Sequence, residues 1–284
     1  MKIVHQINQV KGMIREVRQK GGTIGFVPTM GYLHEGHLSL MRRAKVEQAV
    51  VVASIFVNPL QFGPKEDLAV YPRDLERDSV LAESADVDIL FVPAVEEMYP
   101  QGVKRFLTVV DVAAITGVLC GAARPGHFRG VTTVVNKLFH IVEPDAAYFG
   151  QKDAQQVTVI KRMVEDLNMN ISIVTVPTVR EADGLALSSR NVFLNVAERR
   201  AALVLHQSLQ AAVRLLAGGC RSAAAIRAAM TALIAAEPLA SIDYIAVVDR
   251  DSLAEIAAIS GPVLIALAVR IGKTRLIDNM VWEG

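Results

Sequence analysis

Two histidines three residues apart, His34 and His37, close the run Pro28-Thr29-Met30-Gly31-Tyr32-Leu33-His34-Glu35-Gly36-His37. The run lies between a short β-rich stretch, residues 23–28, and a helical stretch that begins at His37. A helix N-terminus presents unpaired N–H groups and partial positive charge, so a first strand-to-helix turn suits phosphate. Gly36 permits close backbone approach, and imidazoles at this spacing can both face one ligand. The bland alternative for a lone histidine is a hydrogen-bonded structural residue. A metal pair is the other, but HxxH lacks the spacing of HExxH and no third ligand follows nearby, so no protein-held metal is expected. Lys152 follows an apolar run that ends at Phe149-Gly150 and stands beside Asp153. Its ammonium is a compact charge suited to phosphate oxygens that move during reaction, the plain alternative being a solvated lysine.

These groups need a frame that gathers them. The chain has 284 residues, 52% of them apolar, with 30 basic against 29 acidic side chains and a formal net charge of +1. That composition excludes disorder and offers no broad cationic face for nucleic acid or anionic lipid. Apolar strand-like runs at 23–28, 49–56, 87–92, 146–149 and 171–176 alternate with helical stretches at 74–84, 131–142 and 155–167. The alternation predicts an α/β fold, a Rossmann-like parallel sheet with helices on both faces. Ligands bind such sheets beyond the carboxyl ends of the strands, where the polar clusters at 28–37, 58–62, 149–156 and 187–191 should converge. After Pro177 come Ala-rich helical stretches, 197–216 and 221–236, and β-like runs at 242–248, 263–269 and 276–282. A boundary is therefore placed at 177, with residues 178–284 as a smaller C-terminal α+β domain. Residues 1–20 mix apolar and polar positions at helical spacing, unlike a signal peptide, and no run has the length of a membrane span. With Cys120 and Cys220 read as free thiols, the expectation is a cytoplasmic protein.

The HEGH tetrapeptide resembles the HxGH signature of the nucleotidylyltransferase superfamily, which is related to class I aminoacyl-tRNA synthetases. Added to it are the segments Phe56-Val57-Asn58-Pro59-Leu60-Gln61-Phe62, Tyr71-Pro72-Arg73, Arg124-Pro125-Gly126-His127-Phe128-Arg129-Gly130-Val131, Phe149-Gly150-Gln151-Lys152-Asp153 and Leu187-Ser188-Ser189-Arg190-Asn191. Together, in this order, they resemble the pantothenate synthetase (pantoate–β-alanine ligase) family over essentially the whole chain. The resemblance implies a two-step ligation. Pantoate's carboxylate attacks the α-phosphorus of ATP to give pantoyl adenylate and pyrophosphate; β-alanine's amine then attacks the acyl carbonyl and expels AMP. Such chemistry rests on positioning and on cations around the reacting phosphate.

The same resemblance implies roles residue by residue. His37 first, then His34, Lys152 and Arg190, carry the chemistry. Met30, Gly31, His34, Gly36, His37, Gly150, Lys152, Asp153, Val179, Leu187, Ser188, Ser189 and Arg190 surround ATP, with Ser188-Ser189-Arg190 the counterpart of the synthetase KMSKS loop. Gln61, Gln156 and Met30 hold pantoate, and Gln61 also meets β-alanine. Phe62, Val134 and Val135, with Met30, form an apolar wall for pantoate's methyl groups. Mg2+ accompanies ATP, with Asp78 an outer-sphere candidate. A homodimer through the first domain and a lid role for the second are further implications.

Three positions depart from the family pattern: Cys120 and Gln151 stand where acidic residues are frequent, and Ala154 replaces an aromatic. The resemblance implies that an acidic residue at 120 steadies the neighbouring arginine, so Arg124 is expected to be held differently here. Gly272-Lys273-Thr274 invites a P-loop reading, but Leu267 occupies the required glycine position, which favours a hairpin turn. Two other functions compete. A nucleotidylyltransferase acting on a phosphate-bearing acceptor would want extra Arg or Lys where this chain has Asn58, Gln61, Gln155 and Gln156. A catalytically silent nucleotide-binding module would not need His34, His37, Lys152 and Ser188 to Arg190 together.

Overall fold

A computed structural model describes residues 1–64 and 66–284. Six strands, β1 (Lys2–Val4), β2 (Ile24–Thr29), β3 (Val50–Ile55), β4 (Ile89–Phe91), β5 (Ala146–Gly150) and β6 (Ser172–Val176), pair in the order β1-β4-β3-β2-β5-β6. Every pairing is parallel. Parallel strands need long crossovers, and here helices supply them: α1 (Ile7–Gln19), α2 (Glu35–Glu47), α3 (Leu75–Ser84), the single turns α4 (Val95–Met98) and α5 (Cys120–Ala123), α6 (His127–Val142) and α7 (Ala154–Asp166). Successive side chains of a strand face opposite ways, and both directions here are apolar. Phe26 and Val52 join Ile14 of α1, Phe139 of α6 and Ile160 of α7 on one face. Val27 and Val51 join Leu38 and Met41 of α2 and Ala82 of α3 on the other. The expected doubly covered sheet is therefore present.

After β6 the chain forms α8 (Val196–Ala201), α9 (Leu203–Ala217) and α10 (Ala223–Ala235), then an antiparallel sheet of β7 (Ala240–Asp249), β8 (Val263–Ile271) and β9 (Thr274–Trp282). Leu205, Leu209, Ile226 and Met230 pack on Ile265, Leu267 and Val269 as a separate core. The opposite face of β8, through Leu264 and Ala266, meets Ala154 of α7. That contact explains why β8 is apolar on both faces.

Three local features differ from the sequence expectation or refine it. Residues 2–4, within the stretch whose spacing is helical, form β1, which pairs with β4 and satisfies backbone groups that an edge would leave open. The single helix expected over 197–216 is broken at Ala202 into α8 and α9. Gly272 and Lys273 make the two-residue turn of the β8–β9 hairpin, with Gly272 at φ +56°, so the P-loop reading is excluded.

β2 has β3 on one side and β5 on the other, so the strand order reverses between β2 and β5. A crevice opens at such a point beyond the carboxyl ends. The segments that leave β2 at Thr29 and β5 at Gly150 are the two that carry the histidines and Lys152.

Candidate active site

His34 is the N-cap of α2, and its Nδ1 accepts from the Gly36 amide at 3.1 Å. His37 Nδ1 in turn accepts from the His34 amide at 3.3 Å. Two imidazoles thus build the reciprocal capping arrangement usually made by Ser or Thr with Glu, and their ring centroids lie 4.1 Å apart with the planes tilted by 40°. Because each Nδ1 accepts, each neutral ring carries its proton on Nε2. Burial, then the charges of Lys152 and Arg77, pull His34 down to about 4 despite the opposing Asp153. His37 is pushed well below its ordinary value by burial, His34 and Lys152. At neutral pH both rings offer hydrogen bonds from Nε2–H rather than an imidazolium charge.

The loop ahead of α2 is held by Asp78. Its two carboxylate oxygens accept from the Tyr32 and Leu33 amides, both at 2.7 Å. Gly31 sits at φ +83°, where an added Cβ would press on Ile55 and on that carboxylate. Burial outweighs the two amide bonds and raises the Asp78 carboxyl. With both oxygens engaged and the side chain only 1% exposed, Asp78 positions the histidine loop. It does not line the inner cleft, so the geometry gives no support to the outer-sphere magnesium role expected of it.

Lys152 lies in a 3-10 turn, Gln151–Asp153, at the end of β5. That turn is gripped from the C-terminal sheet: Asn279 Nδ2 donates to the Gln151 and Lys152 carbonyls at 2.9 and 2.8 Å, and Gln151 Nε2 donates to Asn279 Oδ1 at 3.0 Å. Next to Asn279 on β9, Asp278 holds Arg180 with two bonds of 2.6 and 2.9 Å. Ser188, for which the sequence shows no capping role, caps the 3-10 turn Ser189–Phe193 by accepting from the Arg190 amide at 3.3 Å. The Arg190 guanidinium lies over the Tyr71 ring, 5.9 Å from its centroid, and the Tyr71 and Ser189 hydroxyls are 3.3 Å apart.

His34, His37, Gly36, Gly150, Lys152, Asp153, Val179, Leu187, Ser188, Ser189 and Arg190 all line one inner cleft of about 220 Å³. Gly31 does not; it is buried in the loop behind Met30. The cleft's other half is lined by Met30, Gln61, Gln156, Val131, Val134 and Val135. Gln61 Nε2 lies 3.0 Å from Met30 Sδ, and its Oε1 accepts from Asn58 Nδ2 at 3.2 Å. Close packing of α6 on the Asn58–Gln61 turn depends on Gly130, where a Cβ would collide with the Leu60 carbonyl. Asn58 and Gln155 are buried anchors, Asn58 bonded to Tyr99, Gly130 and Gln61, and Gln155 to Cys120, Ile115 and Val118. The apolar wall uses Phe56 and Val131 in place of the expected Phe62, which packs edge-on against Tyr71.

Arg124 and His127 complete the wall and also line a wider cleft of about 770 Å³ that opens between residues 119–128 and 152–156 on one side and the C-terminal sheet on the other. Arg124 Nε and Nη2 meet the two oxygens of Glu66 at 2.6 and 2.7 Å. Thus Glu66, rather than a residue at 120, holds the arginine. Tyr71 and Asn279 receive no role from sequence alone. The Tyr71-Pro72-Arg73 segment is at least conspicuous, whereas a lone Asn on a distant strand carries no signal.

A reversed-order parallel sheet, an HxGH turn at its switch point and a Lys–Ser–Ser–Arg set opposite define a Rossmann-like protein of the HxGH nucleotidylyltransferase class. A family model described as Pantoate-beta-alanine ligase matches residues 2–281. The pantothenate synthetase of Heliobacterium modesticaldum is 62% identical over 283 residues, covering 100% of both chains. That of Pelotomaculum thermopropionicum is 59% identical over 281 residues, 99% of each. Among solved structures, pantothenate synthetase from Thermus thermophilus superposes with a TM-score of 0.93 at 48% identity, covering 99% of each chain. The pantoate-beta-alanine ligase from Francisella tularensis, complexed with beta-gamma ATP and beta-alanine, gives 0.80 at 36% identity over 99% of this chain and 97% of that one. The chain belongs to the pantoate-beta-alanine ligase family.

Proposed function

We infer that this protein ligates pantoate to β-alanine at the expense of ATP, releasing AMP and pyrophosphate. One observation carries the reading: a single cleft brings Lys152, Arg190, Ser188 and Ser189 together with the amides of Gln61 and Gln156 and the side chains of Val131, Val134 and Val135. The amides and valines suit an acceptor such as pantoate, with a hydroxyl, a carboxylate and two methyls, and the further cation in that lining, Arg124, is already paired with Glu66 rather than open to a phosphate. It is therefore pantoate's carboxylate that meets the α-phosphorus. Lys152, Arg190, Ser188 and Ser189 neutralise and orient the triphosphate, and His37 and His34 donate from Nε2–H as charge builds on the leaving pyrophosphate. Met30, Gly36, Gly150, Asp153, Val179 and Leu187 shape the nucleotide's bed, with Gly31 acting through the turn behind it. Gln61 and Gln156 orient pantoate, and Gln61 faces the incoming β-alanine.

Mg2+ arrives on ATP and shields its phosphate charge. Among the described residues Asp153 is the carboxylate that lines the inner cleft and the one that would face the ion. Among the described residues no group of three His, Cys, Asp or Glu side chains could hold a metal by itself. No helix among them is long and apolar enough to cross a membrane, and a cytoplasmic homodimer is the expected form, checked by light scattering. Separate cores support two domains, 1–177 and 178–284, with the second closing over ATP as a lid. The test is pyrophosphate–ATP isotope exchange with and without pantoate, followed by β-alanine. Exchange that ignores pantoate would overturn the ligase reading.

A further inference from the structure

β-Alanine must be held by its carboxylate, with its amine free and two methylenes away, aimed at the acyl carbonyl. Among the described residues, the inner cleft is lined by three Lys or Arg side chains: Lys152, Arg190 and Arg124. Lys152 and Arg190 are assigned above, with Ser188 and Ser189, to the triphosphate. Arg124 stands apart, anchored on the residue whose side chain faces pantoate: its Nη2 lies 3.5 Å from the Gln61 carbonyl. Like Lys152 and Arg190, it lines both the inner cleft and the wider one, so it is within reach of an amino acid arriving from solvent.

The guanidinium is oriented for a carboxylate. His127 Nδ1 donates to the Gln61 carbonyl at 2.8 Å, which leaves Nε2 as the acceptor for Arg124 Nη1 at 2.9 Å. Burial, then the Arg124 charge, holds His127 down at about 4, consistent with that neutral form. With Nη1 fixed, Nε and Nη2 point outward as a side-on fork, the geometry that carboxylates fit best. Glu66 now fills the fork, and both side chains are largely but not fully covered, 18% exposed for Arg124 and 23% for Glu66. Glu66 is tied to Gly63 twice, its amide donating to the Gly63 carbonyl at 3.0 Å and its Oε2 accepting from the Gly63 amide at 3.2 Å. Replacing one carboxylate by another at a partly desolvated guanidinium leaves no charge unpaired at the arginine, so the exchange is nearly balanced.

We propose that Arg124 is the subsite for the carboxylate of β-alanine and that Glu66 occupies it until the amino acid arrives. This rests on the ligase reading above, and it assigns selectivity for an ω-amino acid over a plain amine to one side chain. Glu66 is thereby a built-in competitor for the second substrate.

Arg124→Leu, Arg124→Lys and Glu66→Gln are compared with the parent in two assays. Pantoate-dependent pyrophosphate–ATP exchange needs no β-alanine and reports the first half-reaction. Ligation is then followed against β-alanine and against 3-aminopropanol, which has the amine without the carboxylate. In Arg124→Leu the KM for β-alanine should rise about tenfold more than exchange falls, and preference for β-alanine over 3-aminopropanol should collapse. Arg124→Lys should recover part of that preference. Glu66→Gln should lower the β-alanine KM about two- to threefold, because an amide competes more weakly for the fork. An unchanged preference in Arg124→Leu, equal loss of exchange and ligation, or a raised β-alanine KM in Glu66→Gln would overturn the proposal. Parent protein lacking pantoate-dependent exchange would instead strike the ligase reading itself.

Discussion

Asn279→Ala removes the grip of the C-terminal sheet on the Lys152 turn. The side chain is 5% exposed and makes three hydrogen bonds to Gln151 and Lys152. At about 1 kcal/mol net for each neutral bond, the loss is about 3 kcal/mol. The packing of Ala154 against Leu264 and Ala266 stays, so the C-terminal sheet remains docked while the Lys152 turn loosens. If about half of that energy is expressed in the transition state for adenylate formation, kcat/KM for ATP falls about tenfold. Gln151→Ala deletes one of the three bonds and should cost about a third as much free energy. Steady-state kinetics against ATP and against β-alanine, with a thermal melt on each variant, make the measurement. The expected pattern is a tenfold loss on the ATP side, an unchanged β-alanine KM and a melting point lower by roughly 5–10 °C. A lowered melting point with kcat/KM for ATP within about twofold of the parent would refute the reasoning, because the brace would then serve stability alone.

Further outcomes follow from the same geometry. His37→Ala should slow pantoate-dependent exchange by about 10²- to 10³-fold with unchanged circular dichroism, since it removes a donor aimed at developing charge; near-parental exchange would show that His37 is a cap only. Gln156→Ala should raise the KM for pantoate more than that for ATP, and an equal rise in both would remove it from the pantoate wall. His127 has its folded value near 4, below the ordinary 6.5, so the native state binds fewer protons than the unfolded chain between those values. Its contribution is complete above about 6.5 and is lost as pH falls toward 4, an upper bound on the order of 3 kcal/mol. Denaturant titrations of the parent and His127→Asn across that window should show a flatter acid limb in the variant, and identical limbs would contradict the assignment.

The strand-loop-helix around the histidines was legible because Pro28, Gly31 and Gly36 mark the turn and the flanking runs are apolar in strand and helix rhythm. The convergence of residues near 30, 61, 152 and 190 followed from the parallel-sheet expectation, since all lie beyond strands on the same edge. What escaped was set by contacts far apart in sequence. Asp78 holds the Tyr32 and Leu33 amides from 45 residues away or more, so its spacing from the histidines carried no sign of its partners. The grip of Asn279 on Lys152 spans 127 residues. Phe62 has the right composition for the apolar wall, but its ring is taken by Tyr71. The three-residue strand β1 is too short for periodicity to separate from the helix that follows.

The central claim is that pantoate's own oxygen becomes bonded to the α-phosphorus inside the cleft. Pantoate labelled with 18O in both carboxylate oxygens, turned over with ATP and β-alanine, tests it in one mass spectrum. Passage through pantoyl adenylate leaves one labelled oxygen in AMP and one in the new amide. Unlabelled AMP, or label in a phosphate other than AMP, would contradict the account.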